Sequence, residues 1–555
     1  MFKPDRLNSF LFFSLAFILV LALLPSTGWI ARMPLWLRLP GVHENSHAWE
    51  NEVVVPWMRP GRTVKSDPGD YLQALGTALT ENSIGSEAMN AAGARALRSV
   101  ELRFPGHPSM PAHEIRCWLR SGSLGTRVED WLLARSKPPA SFQQKPGDPE
   151  RVDGVLQAAI RGEQIDPENA FYPLMHACAL MGARRDAEAI EALQIAGQKT
   201  GWNEYLLEDA DARVHLHERS HGRLSALTAT FEDCDTLFPH YSAIRELARV
   251  AVYKAILAEQ SGNREEGLQI RHALIHVGGL MRADSSYFIP ALVGIAVAQI
   301  SVSRPGGALA PAGAGRSPNE SQHVERYCSY LAASGHANEA RWVRAQLDAA
   351  QRTHDILHRT LSSPEGKPFV PDRARPAIWL IGLWSAAALA LCNAIWLLMA
   401  AGIAHLRWTR REIAAPVCAL LAFLAIIPAW EWAQVRAVAD GCSLIGVFVM
   451  YYSGTGPWLV PLIATLSFAV PLILSAAILV RALRRRIPPG RAFREGFRGP
   501  GAWIGAACLL AYGLLVIGTA VQESHVLHER NRIRVHEGRY YAAMVGAEWP
   551  GLPAN

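Results

Sequence analysis

Two short stretches of the chain place residue types at a spacing suited to chemistry. His43, Glu44 and His47 (HENSH), and His217, Glu218 and His221 (HERSH), both read HExxH. On a helix this spacing puts two imidazoles on one face, where they can hold zinc, and the glutamate between them polarises a metal-bound water. A membrane-bound zinc hydrolase built on the first motif would use Glu44 as base and His43 and His47 as ligands, with zinc as its one cofactor. The surroundings favour a plainer role. The first motif follows Leu39-Pro40-Gly41, which interrupts the apolar helix such a site needs around it. The second contains Arg219 and ends at Gly222, so its histidines read as polar groups at the solvated end of a helix. The sequence thus assigns no catalytic, cofactor-binding or metal residue outside that zinc alternative. His113-Glu114, His528-Glu529 and His536-Glu537 lack a second histidine, and the chain has no Walker A loop, dinucleotide fingerprint or GxSxG elbow.

The elements that would position any site are helices of two kinds. Residues 376–401 contain no Asp, Glu, Lys or Arg, and a helix needs only about 20 apolar residues to cross a bilayer. Further apolar stretches lie at 9–24, 413–430, 458–480 and 502–521, giving five expected spans. The first, preceded by Lys3 and Arg6, is expected to be an uncleaved anchor, since no convincing small-residue cleavage site follows it. Residues 441–452 are apolar but too short to span, and are expected to be re-entrant or interfacial.

Half of the residues are hydrophobic and mean hydropathy is +0.08, an excess confined to these segments. The net charge of +6 is local as well. Three arginines fall between His405 and Arg411 and seven between Arg481 and Arg498, in the loops joining the spans. Lysine and arginine in short loops mark the cytoplasmic side. The expected arrangement is an integral protein of a bacterial inner membrane, with a cytoplasmic N-terminus and with residues 31–375 and the C-terminus outside the cytoplasm. The charge therefore sets orientation and does not imply a nucleic-acid partner. The bundle carries almost no ionisable group at depth, Asn393 being its deepest polar residue, so its helices read as anchors rather than an ion path. Of eight cysteines, Cys117, Cys178, Cys234 and Cys328 fall in the polar part, where one or two disulfides are compatible with an extracytoplasmic location.

The division expected is an anchor (1–30), a loop-rich helical region (31–150), a helical-repeat domain (151–360), a linker (361–375), four further spans (376–521) and a tail (522–555). Residues 302–322, rich in Gly, Ala and Pro, interrupt the repeats. Residues 165–196, IDPENAFYPLMHACALMGARRDAEAIEALQIA, carry the repeat signal. Gly182, Asp186 and Ala187 have a spacing that recurs at Gly262, Glu266 and Gly267, and at Gly335, Glu339 and Ala340. The glycine suits a tight turn between antiparallel helices, the acid favours the next helix N-terminus, and the small residue lets the helices approach.

This stretch resembles a tetratricopeptide repeat, in degenerate form, since the glycines are 80 and 73 residues apart where the family repeats about every 34. The resemblance implies a mainly α fold of stacked hairpins that binds a protein or peptide partner, in a chain whose other partner is the lipid bilayer. The expected function is a membrane-tethered scaffold or binding protein. The alternatives are the zinc hydrolase and a component of a transport or export complex.

Overall fold

The computed structural model describes residues 4–24, 67–81, 87–120, 122–129, 141–221, 238–284, 288–303, 320–362, 393–402 and 501–545, with isolated positions elsewhere. The HExxH at 43–47, most of the 302–322 insertion, the 363–375 part of the linker, and the stretches at 413–430 and 441–452 lie outside the described residues. In chain order the helices are α1 (Pro4–Leu23), α2 (Tyr71–Glu81), α3 (Glu87–Arg103), α4 (Met110–Leu119), α5 (Pro149–Ile165), α6 (Phe171–Gly182), α7 (Asp186–Ala196), α8 (Leu206–His221), α9 (His240–Ser261), α10 (Arg264–Ala283), α11 (Phe288–Ser301), α12 (Glu320–Ala333), α13 (Ala337–Ser362), α14 (Asn393–Gly402) and α15 (Ala502–Val545). The mainly α class is as expected. The strand content of the described residues is an antiparallel ribbon of β1 (Gly125–Thr126) and β2 (Lys145–Pro146). The chain divides into one unit of residues 65–219, 236–371 and 532–555, and another of 1–64, 220–235 and 372–531.

In the first of these units three helical hairpins share one turn. Arg184, Gly262 and Gly335 adopt left-handed backbone, with φ of 65°, 93° and 90°. After Arg184 and Gly335 the next N–H reaches back five residues, Arg185 to Leu180 and His336 to Leu331, each at 2.9 Å. This ties off the helix end in a Schellman motif. The residue that opens the following helix then pairs with an acid three positions on. Arg185 donates to Glu188 at 2.7 Å, Asn263 to Glu266 at 2.6 Å, and His336 lies 3.6 Å from Glu339.

The register of the first turn differs by two residues from the one read in the sequence. Gly182 is helical, and it is required there because a Cβ would run into the Leu124 carbonyl. Asp186 is the first residue of α7, and the acid equivalent to Glu266 and Glu339 is Glu188. Ala187 is exposed, while Ala189, equivalent to Gly267 and Ala340, is fully buried. At Gly267 a Cβ would lie 2.6 Å from the Glu259 side chain, so close approach of α9 and α10 depends on this small residue.

Like helices stack: α6 packs on α9, α7 on α10, and α10 on α13. His272 meets the Trp342 ring edge-on at 4.5 Å, and Arg282 and Arg352 also act on each other. Both pairs are 70 residues apart, so α10 and α13 run in the same direction. The long intervals between turns arise because α8 follows the first hairpin and α11 the second. One apolar core runs from Ala112 on α4 to Val297 on α11, without a break at residue 150. Cys117, Cys178 and Cys328 are buried.

In the other unit α1, α14 and α15 pack together. Phe10 stacks on Trp503 with centroids 5.3 Å apart, and a Cβ at Gly513 would lie 2.6 Å from Phe17. Contact positions rise together along α1 and α15, so these helices are parallel. Trp396 meets Phe497 edge-on at 5.5 Å, whereas Ala387, earlier in the chain, clusters with Tyr512, Val516 and Leu21. The chain through 387–400 is therefore antiparallel to both. Phe12, Leu15 and Leu19 of α1, Met399 of α14, and Leu514 and Val521 of α15 are exposed, an outward apolar face suited to lipid.

Ala502–His528 is long and apolar enough to cross a membrane, whereas the apolar stretches Ser9–Leu23 and Asn393–Gly402 are shorter. The described residues thus contain one clear span candidate where five spans were expected. The Ala226 N–H, in the segment following α8, donates to the buried Glu523 carboxylate on α15 at 2.5 Å.

Candidate functional site

The second HExxH forms the last turn of α8. Glu218 and Arg219 point to solvent, and Arg219 lies 3.5 Å from Asp67 and 3.7 Å from Asp70. Among the described residues no group of three or more His, Cys, Asp or Glu side chains has the geometry to hold a metal ion. The sequence-named Asp186 serves elsewhere. Its carboxylate accepts from Arg127 at 2.7 and 3.0 Å and from Lys254 at 2.7 Å. The Arg127 hydrogen bonds, with help from Lys254, outweigh burial and hold the Asp186 carboxyl at about 2. Asp186 thereby ties the chain beside β1 to the second hairpin.

Arg127 of that tie also lines a small groove, of about 30 Å³, between the first helices of successive hairpins. Cys178 and Met181 of α6 and Leu247 and Val250 of α9 line it, and the ribbon forms one wall with Lys145. Arg184, brought there by its left-handed backbone, donates to the carbonyls of Thr126 at 3.2 Å and Lys145 at 3.1 Å, while its Nη1 is buried without a partner. The groove has an apolar lining, a cationic rim at Arg184 and Lys145, and one acid, Glu246. Burial pushes the Cys178 thiol up, so it is a packing group and not a nucleophile.

The densest set of titratable groups is a second feature, joining α4, α8 and α9. The His113 imidazole and the Arg116 guanidinium converge on Asp209, the latter at 2.8 Å. Arg116 also donates to the Glu204 carbonyl, and the Glu204 carboxylate accepts from His240 and Tyr241, both at 2.6 Å. Tyr71 bonds Ser109 at 2.7 Å and stacks on His107 at 3.9 Å. Burial alone would raise the Asp209 carboxyl, yet the charges of Arg116 and His113 hold it far below the usual range. Burial would likewise lower His113, and Asp209 reverses this, so His113 keeps its proton above ordinary imidazole pH values. At His240 burial wins over Glu204 and the ring is pushed down.

The charges offset one another, although His113 Nε2, Arg116 Nε and His240 Nδ1 are buried without a hydrogen-bond partner, and the set presents no activated nucleophile. The neighbouring Cys117 thiol is pushed up to about 11 by burial. The network therefore clamps three helices together. Sequence reasoning met His113-Glu114 only as an incomplete metal motif, because Asp209 lies 96 residues away. A signal was present: α4 buries His113, Glu114 and Arg116 among apolar residues, and buried charges need partners. No family model matches this chain, and searches of curated proteins and of solved structures likewise return no match.

Proposed function

We propose that this protein is a membrane-tethered binding protein whose hairpin repeats hold a peptide or protein partner on the far side of a bacterial inner membrane. The observation that carries the reading is the groove between α6 and α9, with its apolar lining and cationic rim. A stack of hairpins leaves such a surface between adjacent helices, and peptide recognition uses apolar pockets flanked by a few polar groups. Thiols pushed up by burial and a self-neutralising charge network support a binding role over a catalytic one.

Helix polarity supports the topology. Parallel α1 and α15 cross in the same sense, so an odd number of spans connects them, and the antiparallel chain at 387–400 supplies the return crossing between them. The sequence offers two apolar stretches between 402 and 501, at 413–430 and 458–480, the even number that this polarity calls for. On this reading residues 31–375 and the chain after α15 share one side of the bilayer, and the arginine-rich loops favour the extracytoplasmic side.

Photo-cross-linking in cells tests the binding role. A cross-linker replacing Lys145 or Glu246 is expected to give one discrete adduct, with none from the exposed Glu191 on α7. Equal adducts from all three positions, or none from any, would remove the groove from consideration.

A further inference from the structure

Arg282, in the last turn of α10, is 4% exposed, and its Nε and both terminal nitrogens have no hydrogen-bond partner. The charge that acts on it is another cation, Arg352 of α13. Gln346, which precedes Arg352 on α13, is 2% exposed with both amide atoms unpartnered. The His272 Nε2 atom in the same seam is also buried and unpartnered. The seam between α10 and α13 thus holds hydrogen-bonding capacity, and two positive charges at one end, that the described chain does not answer. The stretches at 285–287 and 304–319, which flank α11 in sequence, contain no Asp or Glu.

A guanidinium remains protonated in a protein, and an unpaired buried ion is costly. The C-terminal carbonyls of α10 offset part of that cost, because helix-end effects are small beside ion desolvation. The planar fork of arginine matches the oxygens of a carboxylate or phosphate.

We propose that the end of the α10–α13 seam is a binding site for an oxyanion, a carboxylate or phosphate group held by Arg282 with Arg352 at its mouth. This site is separate from the groove between α6 and α9 and does not rest on the function assigned to it.

Thermal unfolding of the full-length protein in neutral detergent tests the site, with inorganic phosphate or acetate exchanged for chloride at constant ionic strength. The midpoint of the wild-type protein is expected to rise with the logarithm of anion concentration. Arg282→Met should abolish the rise and, in chloride, unfold at the same or a higher temperature than wild type. Arg282→Lys, which keeps the charge but loses the fork, should retain a weaker rise. Dihexanoyl phosphatidic acid forms a second arm, and a rise with it but not with inorganic phosphate assigns the anion to a lipid headgroup.

The proposal is overturned if none of these anions moves the wild-type midpoint. It is equally overturned if the rise persists in Arg282→Met, which would mark a general effect of anion exclusion.

Discussion

α10 buries two arginines, with opposite consequences. Arg271 is fully buried and answered on every side. It donates to Glu259 at 2.6 and 3.2 Å and to the carbonyls of Ser301 and Ser303 at 2.6 and 2.8 Å, and its Cζ sits 5.5 Å from the Tyr327 ring centre. It joins α9, the end of α11 and α12. Arg282, eleven residues later, has the same helix and nearly the same burial but no acceptor. The partner set, not the residue type or its burial, separates a charge that holds a fold together from one that awaits a ligand.

The largest effect expected from this contrast is at Arg271. Arg271→Met removes the ion-pair partner of the buried Glu259 carboxylate, and breaking a buried pair in this way costs about 3–5 kcal/mol. Urea unfolding followed by tryptophan fluorescence should show it, and adding Glu259→Leu should recover more than half. The corresponding Arg282→Met change should cost nothing in chloride. Equal losses at the two arginines would erase the distinction.

The hairpin turns permit a finer comparison. Gly182→Ala drives a methyl into the Leu124 carbonyl and should destabilise by about 1–3 kcal/mol as overpacking. Gly335→Ala meets no atom within 4 Å but forces alanine into left-handed backbone, at about 1–2 kcal/mol. The same unfolding assay measures both, and a Gly182→Ala variant as stable as wild type would refute the packing role given to that glycine.

A smaller effect concerns pH. The folded protein holds the His113 proton above the unfolded imidazole value of about 6.5. Its contribution is full below that pH and fades as pH rises through the higher folded value. The stability difference between wild type and His113→Gln should therefore narrow from pH 6 to pH 9. A difference that widens over this range would mean that His113 is neutral in the fold.

Much of this fold was legible in the sequence, because glycine at a helix end is one of the few residue signals with a single conformational meaning. Gly262 and Gly335 announced their turns. The first turn was misphased because its left-handed residue is Arg184, whose type gives no sign of that backbone, while the nearby Gly182 is small for packing reasons. Helical signals at 70–80 and 87–102, in a region of weak periodicity, match α2 and α3 to within a residue at each end. The ribbon of β1 and β2 had no such signal, since two-residue strands leave no alternation to read. The candidate sites were least legible: Arg116, Asp209 and His240 meet only through packing of distant helices, and Arg271 and Arg282 read alike until their neighbours are known.

The central claim is that the hairpin domain and the chain following α15 lie together on the far side of the membrane. Protease added to intact spheroplasts carrying a different epitope tag at each end tests it most directly. The account predicts that the hairpin domain and the C-terminal tag are both cleaved while the N-terminal tag survives. An untouched domain, or a cleaved domain with a protected C-terminal tag, would contradict it.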